Sequence, residues 1–233
     1  YRKVTANKKG EFEFLLPLNQ NQIFVDFGNK KILKDVSLNS FKKEIIIAKE
    51  KESKVEKVEE FSDLKNHWVK DIANKLKQSG KLDNTAAFDP NKKITRADLA
   101  KYLVKINELK TNNTNNSPSI SFNDISRDDA YYKYINAVTK SKLMKGMSKT
   151  TYDKNSYVTR IQALIVAARL LPDTKINNQT ILPFEDIAKY KWATKNIKKA
   201  YDYKLISPAT KLNPKQEITH AELITLLYRA SNA

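Results

Sequence analysis

Cysteine is absent from the 233-residue chain, which excludes disulfides, thiolate metal sites and cysteine nucleophiles. Histidine occurs only as His67 and His220, and neither stands in an HExxH pattern. Four glycines form no phosphate-cradling loop, and no GxSxG sequence occurs. Scattered acids remain, and paired acids alone do not establish a glycosidase. The chain therefore reads as non-enzymatic, with no cofactor and no metal. Long apolar runs are also missing. The longest, such as Ala163–Ala168, are far too short to cross a bilayer, so no membrane insertion is expected. The chain opens on Tyr1 rather than Met, which suits a fragment of a larger protein; the lack of a visible signal peptide then carries no weight about secretion.

Acids are in the minority. Lysine and arginine outnumber aspartate and glutamate by 43 to 26, giving a net charge of +17. Most of the excess is lysine, spread along the chain. A charge of this size implies a polyanionic neighbour: nucleic acid, anionic lipid or an acidic polymer. The plain alternative is solvated surface lysine.

What the chain does have is repetition. ITRADLAKYLVKI, YVTRIQALIVAARL and ITHAELITLLYRA are one element written three times, with Thr95, Thr159 and Thr219 spaced 64 and 60 residues apart. Phe61-Ser-Asp63, Phe122-Asn-Asp124 and Phe184-Glu-Asp186 keep the same beat. A period near sixty residues marks a repeated supersecondary unit. The repeats run approximately 61–121, 122–183 and 184–233, within a domain spanning 58–233. Polar stretches at 110–118 and 171–179 join them. Residues 1–57 differ: partly alternating or β-branched stretches at 11–17, 21–27 and 44–48, punctuated by Gly10 and Gly28, predict three or four strands of a small β module or the truncated end of one. The charged segment 49–60 reads as a linker or a short solvated helix.

Each repeat predicts helix–loop–helix. On the first helices, Trp68, Ile72, Ala73 and Leu76 fall on one stripe, as do Tyr131, Ile135 and Val138, and Trp192, Ile197 and Ala200. Gly80 can end the first helix in left-handed geometry. The second helices start at Thr95, Thr159 and Thr219, with Asp98, Gln162 and Glu222 three residues on, the pattern of a capping box. Ile94, Val158 and Ile218 precede the caps as staples. One helix pair is too small to close a core; three can pack around a pseudo-threefold axis, giving a mainly α fold.

The pattern Phe-x-Asp, Trp, Ile, Gly, Phe-x-Pro, Ile-Thr-Arg-Ala-Asp resembles the S-layer homology family, over about 61–233. The resemblance implies a three-pronged spindle, each prong built by adjacent repeats. It also implies non-covalent anchoring at the bacterial cell surface to a secondary cell-wall polysaccharide, often one bearing pyruvylated N-acetylmannosamine, in grooves between prongs. By the same resemblance those grooves are lined by Arg96 and Arg160, by the early acids Asp63, Asp124 and Asp186, by the aromatics Trp68, Tyr131 and Trp192, and by Gly80 and Gly146. The third repeat departs from the pattern: His220 stands where Arg is expected and no glycine separates its helices, so its groove is expected to be weak, altered or silent.

The residues carry alternatives of their own. Arg96, at the first position of a helix beside free backbone amides, suits a carboxylate such as a pyruvyl ketal; it equally suits a surface ion pair. On the binding reading, Arg96→Ala and Arg160→Ala weaken binding and leave the fold intact, and His220 acts more strongly at acid pH. Trp68 and Trp192 either stack on sugar or join the core, with partial burial and one exposed edge expected. The three aspartates either accept sugar hydroxyls or fix the loops, and the glycines either admit a ligand or end helices. Among functions, a purely structural lattice module stands beside polysaccharide anchoring. Nucleic-acid binding is disfavoured because lysine is scattered rather than striped along a helix.

Overall fold

In the computed structural model, residues 22–26, 31–35, 58–111, 122–175, 177 and 179–233 are described. The chain divides into two compact units, Tyr1–Lys54 and Val55–Ala233. In the first, β1 (Gln22–Asp26) pairs antiparallel with β2 (Lys31–Asp35), with Gln22 opposite Asp35 and Asp26 opposite Lys31. β1 falls in the predicted strand at 21–27, whereas β2 was not foreseen. The strands expected at 11–17 and 44–48, most of the 49–60 linker and most of the 110–118 loop lie outside the described residues.

The second unit is helical. It holds α1 (Lys70–Gln78), α2 (Arg96–Ile106), α3 (Tyr132–Lys140), α4 (Arg160–Arg169), α5 (Thr194–Asp202) and α6 (His220–Ser231), two to a repeat. The second helices start where the cap pattern puts them. In α2 the Thr95 hydroxyl accepts from the Asp98 amide and the Asp98 carboxylate returns to the Thr95 amide; α6 repeats this with Thr219 and Glu222. In α4 the Gln162 carbonyl oxygen accepts from the Thr159 amide at 2.9 Å. Packing is between repeats. α2 lies against α3, α4 against α5, and α6 against α1, while α6 also contacts α2 and α4. Each prong thus joins the second helix of one repeat to the first helix of the next, and the last repeat closes on the first. The architecture is the predicted three-repeat helical spindle.

The axis is a hydrogen-bonded ring. Val158 N–H donates to Ile94 C=O at 2.8 Å, Ile218 to Val158 at 2.9 Å, and Ile94 to Ile218 at 3.3 Å. The three staple residues are essentially inaccessible, so one β-branched side chain and one paired backbone from each repeat form the centre of the core. Around them lie Leu99, Leu103, Leu164, Leu223 and Leu227 from the second helices and Ile135 and Ile197 from the first. Nearly every face of α2, α4 and α6 carries buried residues. That leaves none of these three free to lie in a nucleic-acid groove as a recognition helix.

Two register corrections follow from the helix caps. Val69, Tyr131 and Ala193 occupy the same N-cap position of the first helices, so the partner of Trp68 and Trp192 is Ala130, not Tyr131. The left-handed residue that ends each first helix is Gly80 (φ 71°), then Lys142 (φ 59°) and Lys204 (φ 58°). Gly146 is therefore not the counterpart of Gly80. The first helices hide these registers because few of their positions carry the same residue type in all three repeats.

Candidate ligand-binding site

The residues singled out in the sequence divide between interfaces inside the unit and the solvent surface. Arg96 is buried. Its Nε donates to Tyr152 C=O at 2.9 Å, a terminal nitrogen donates to Lys145 C=O at 2.7 Å, and the guanidinium lies 4.6 Å over the Tyr152 ring. Arg96 therefore ties the first repeat to the loop of the second. Arg160 does the same one repeat on: Nε donates to Leu212 C=O at 3.0 Å and a terminal nitrogen pairs with Glu222 at 2.5 Å. His220 closes the ring, with Nδ1 2.7 Å from Phe88 C=O and its imidazole stacked between Phe88 and Tyr102.

Nor are the helix-start amides free. Arg96 and Ala97 N–H donate to Ser156 and Lys154 C=O, Arg160 and Ile161 to Gln216 and Pro214, and His220 and Ala221 to Lys92 and Pro90. The next amide belongs to the capping box. The carboxylate cradle expected at Arg96 is thus already filled by carbonyls of the neighbouring repeat, a contact no local pattern can reveal.

The three early aspartates are loop staples. Asp63 accepts from the Phe88 and Asp89 amides at 2.8 and 2.7 Å, Asp124 from Tyr152 and Asp153 at 2.9 and 2.7 Å, and Asp186 from Leu212 and Asn213 at 2.8 and 2.7 Å. Both oxygens of each carboxylate are engaged, which favours the loop-fixing alternative over sugar binding. For Asp63 and Asp124, burial works against the charged form, but backbone amides, helped by His220 beside Asp63 and Arg96 beside Asp124, outweigh it and hold the carboxyl below its ordinary range. The donors Asp89, Asp153 and Asn213 have φ of 57°, 60° and 53°, a left-handed step that Asp and Asn tolerate better than most residues. The sequence signal for this step was present, as an Asp or Asn after Phe88, Tyr152 and Leu212, and was not read.

His220 is the acid-sensitive member of the ring. Its Nε2 is buried and has no hydrogen-bond partner among the described residues. Burial pulls its pKa below the ordinary histidine value; Lys92 adds to this, while the Phe88 carbonyl and Asp98 oppose it. A base whose pKa falls on folding contributes stability above its unfolded value, and that stability is lost as pH falls through the folded one. The unfolding temperature is therefore expected to fall below about pH 6.5, and His220→Gln should flatten that limb. The Asp63 and Asp124 contributions fade only below the ordinary carboxylate range, so calorimetry across pH 4.5–8 isolates the histidine. This reverses the expectation of an acid-strengthened binding role.

Facing solvent are the aromatics. Trp68 is 61% exposed and Trp192 68%, so neither joins the core stripe with Ile72 or Ile197. Each stands one residue before its helix N-cap, where the side chain clears the packed face. His67 lies 5.2 Å from Trp68, ring to ring, and Tyr190 lies 6.5 Å from Trp192. Tyr131 is half-buried and turns inward, its hydroxyl 3.4 Å from Asp98. Gly80 has open space where a side chain would stand, whereas a Cβ on Gly146 would come within 2.5–2.7 Å of Phe122, Ser148 C=O and Thr151 C=O. Among the described residues no cluster of metal-ligating side chains occurs, and no helix is long and apolar enough to cross a membrane.

Between the first and second repeats lies a cleft of about 340 Å³, bordered by Lys92, Lys93, Thr95, Ala97, Asp98, Tyr131, Asn155 and Tyr157. Of these, the sequence marked Tyr131 as a ligand contact and Thr95 with Asp98 as a helix cap.

A family model for the S-layer homology domain matches residues 60–100, 121–164 and 183–224, one match to each repeat. The chain is 29% identical over 163 residues to an S-layer protein of Bacillus thuringiensis subsp. finitimus, covering 67% of this chain and 19% of that protein. It is 25% identical to an amylopullulanase of Thermoanaerobacterium thermosulfurigenes and 26% identical to exoglucanase XynX of Acetivibrio thermocellus. Each of those matches covers 72% of this chain, but 9% and 16% of the respective enzymes. The chain thus spans a fifth or less of these relatives, and what it shares with the enzymes is a small part of each. Three matched segments, in register with three helix pairs that close into one ring, make this chain a member of the S-layer homology domain family, a cell-wall anchoring module at the cell surface.

Proposed function

We propose that this module holds its parent protein non-covalently to the wall by binding an anionic secondary cell-wall polysaccharide, of the pyruvylated N-acetylmannosamine type, in the clefts between repeats. The observation that carries the reading is the exposure of Trp68 and Trp192 at one equivalent position in two repeats. A single exposed aromatic is ordinary, but two in register leave large apolar faces in water with no packing role. Such faces stack on pyranose rings, and a chain of net charge +17 draws in an acidic polymer over the distance at which screening permits. The ligand contacts proposed here are therefore aromatic and lysine-based, with Arg96, Arg160 and His220 acting behind them on the shape of the clefts.

The test is cosedimentation with purified sacculi. The chain should pellet with sacculi carrying their polymer and stay in solution when the polymer is stripped or its pyruvyl groups are removed. Equal pelleting with stripped peptidoglycan overturns the polysaccharide reading and leaves a structural, lattice-holding module. Raising salt should weaken the interaction steeply, since surface charge supplies much of the attraction.

A further inference from the structure

At all three junctions the first residue of a second helix reaches into the next repeat around the ring, and it meets the same carbonyl each time. Arg96 donates to Tyr152 C=O, Arg160 to Leu212 C=O, and His220 bonds to Phe88 C=O. Phe88, Tyr152 and Leu212 are equivalent, since each gives its amide to the early aspartate of its own repeat. The two guanidiniums then make a second contact, Arg96 with Lys145 C=O and Arg160 with Glu222. His220 makes none through its other ring nitrogen, Nε2, which is buried without a hydrogen-bond partner among the described residues. The backbone follows the same order. The axial bond that closes the third repeat on the first, from Ile94 N–H to Ile218 C=O, is 3.3 Å, against 2.8 and 2.9 Å at the other junctions. α6 also packs on α1 less extensively than α2 on α3 or α4 on α5. The first two junctions join repeats that are consecutive in sequence, whereas the third joins repeats that only folding brings together.

The tautomer of His220 follows from its partner. A carbonyl oxygen only accepts, so Nδ1 carries the proton and donates to Phe88, and Nε2 is a bare acceptor. A second proton enters at Nε2, where it creates a buried cationic N–H with nothing to receive it. The ring is stacked between Phe88 and Tyr102 at centroid distances of 4.0 and 5.0 Å, so it has little room to turn toward solvent while the junction is shut. The charged groups around it belong to the first repeat. Lys92 opposes a positive imidazole, while Asp98 and Asp63 favour one. Both acids are already committed: Asp98 to the Thr95 amide and hydroxyl, Asp63 to the Phe88 and Asp89 amides. Tyr102 stays a neutral phenol, its ionisation pushed up by burial. A guanidinium keeps its charge across the whole range in which histidine titrates, so Arg96 and Arg160 carry no such sensitivity.

We infer that the third–first junction is an acid-operated latch: a proton on Nε2 of His220 releases the start of α6 from the first repeat and opens the ring there, while Arg96 and Arg160 hold the other two junctions shut. Opening lets water reach the imidazolium, which removes the penalty of a buried, unpaired N–H. The remaining structure stays assembled, because α6 still packs on α4 and the α2–α3 and α4–α5 prongs do not involve α6. The loss of stability in acid is thereby placed at one junction of the ring. The latch does not depend on what the module binds.

The experiment is amide hydrogen exchange of the whole chain at about pH 7.5 and about pH 5, each rate divided by that of the unfolded chain at the same pH so that only protection is compared. The amides of Ile94, His220 and Ala221 bridge the third–first junction. Those of Arg96, Ala97 and Val158 bridge the first–second, and those of Arg160, Ile161 and Ile218 the second–third. On acidification the first set should lose about tenfold or more in protection, the scale set by a pH roughly 1.5 units below the ordinary histidine pKa. The other two sets should keep theirs. His220→Gln, which keeps a donor for Phe88 and takes up no proton, should abolish the response; His67→Gln, at the only other histidine, should leave it in place. Nitrogen NMR of the imidazoles reads the same event in the parent chain without a substitution, and protonation of the His220 ring should track the loss of protection at Ile94. Equal loss in all three sets means global unfolding and overturns the latch. So does unchanged protection at the third–first junction, a response that survives His220→Gln or vanishes with His67→Gln, or a His220 titration unrelated to the exchange at Ile94.

Discussion

Arg96→Ala should destabilise the helical unit by about 3 kcal/mol, and its effect should appear in unfolding before it appears in binding. The side chain is buried and its guanidinium donates to two carbonyls of the second repeat, at Tyr152 and Lys145. Hydrogen bonds from a charged group contribute about 1.5–3 kcal/mol each, and truncation also leaves buried carbonyls without their donor. The stacked contact with Tyr152 is lost as well. For a unit of this size the unfolding temperature should drop by roughly 6–12 °C. Arg96→Lys keeps the charge but not the fork that reaches both carbonyls, so it should recover only part of the loss. Thermal and urea unfolding, read beside polymer binding at a temperature where both variants remain folded, separate the roles. Unchanged stability with abolished binding would return Arg96 to the ligand.

Gly146→Ala should cost about 3 kcal/mol, at the upper end of what overpacking does. The new methyl would meet Phe122 at 2.5 Å and the backbone carbonyls of Ser148 and Thr151 at 2.6 and 2.7 Å. The Phe122 ring can shift, but the two carbonyls belong to the loop that also carries Tyr152, the residue Arg96 clamps, so relief at Gly146 strains the same junction. Gly80→Ala is the control. Gly80 has a left-handed backbone but open space around it, and its counterparts Lys142 and Lys204 adopt the same geometry with full side chains. It should cost about 1 kcal/mol. Chemical denaturation of both variants gives the comparison; equal effects would mean that backbone angle, not the close approach, makes Gly146 a glycine.

Much of the fold was legible because its signals are local. Thr95 with Asp98, and Thr219 with Glu222, specify a helix start within four residues. Three copies of that start, each behind a β-branched residue, give the repeat and its number. Helix pairing followed from size, since one pair cannot bury its own apolar face. The failures came where the reading matched residues by type rather than by position. Tyr131 was matched to Trp68 because both are aromatic, and Gly146 to Gly80 because both are glycine; the caps and backbone angles align Ala130 and Lys142 instead.

Of the residues bordering the cleft between the first and second repeats, the sequence named only Tyr131 as a ligand contact. Charge pointed to a polyanion, and the sugar was what the family resemblance implied. Trp68 and Trp192 were named and are exposed. Lys92, Lys93, Asn155 and Tyr157 were passed over, because in sequence they are ordinary loop residues flanking helix starts.

The sequence by itself determined the number of repeats, the helix starts, the apolar residues that meet at the axis and the basic character of the surface. These depend on neighbours within a few positions, or on composition. Only the tertiary structure decided that Arg96, Arg160 and His220 face carbonyls of another repeat and that Asp63, Asp124 and Asp186 hold loops. Those contacts join residues 25 to 132 positions apart and close a ring in which the last helix meets the first. Most of their partners are backbone groups, which every residue carries, so the sequence does not mark which of them a given side chain will meet.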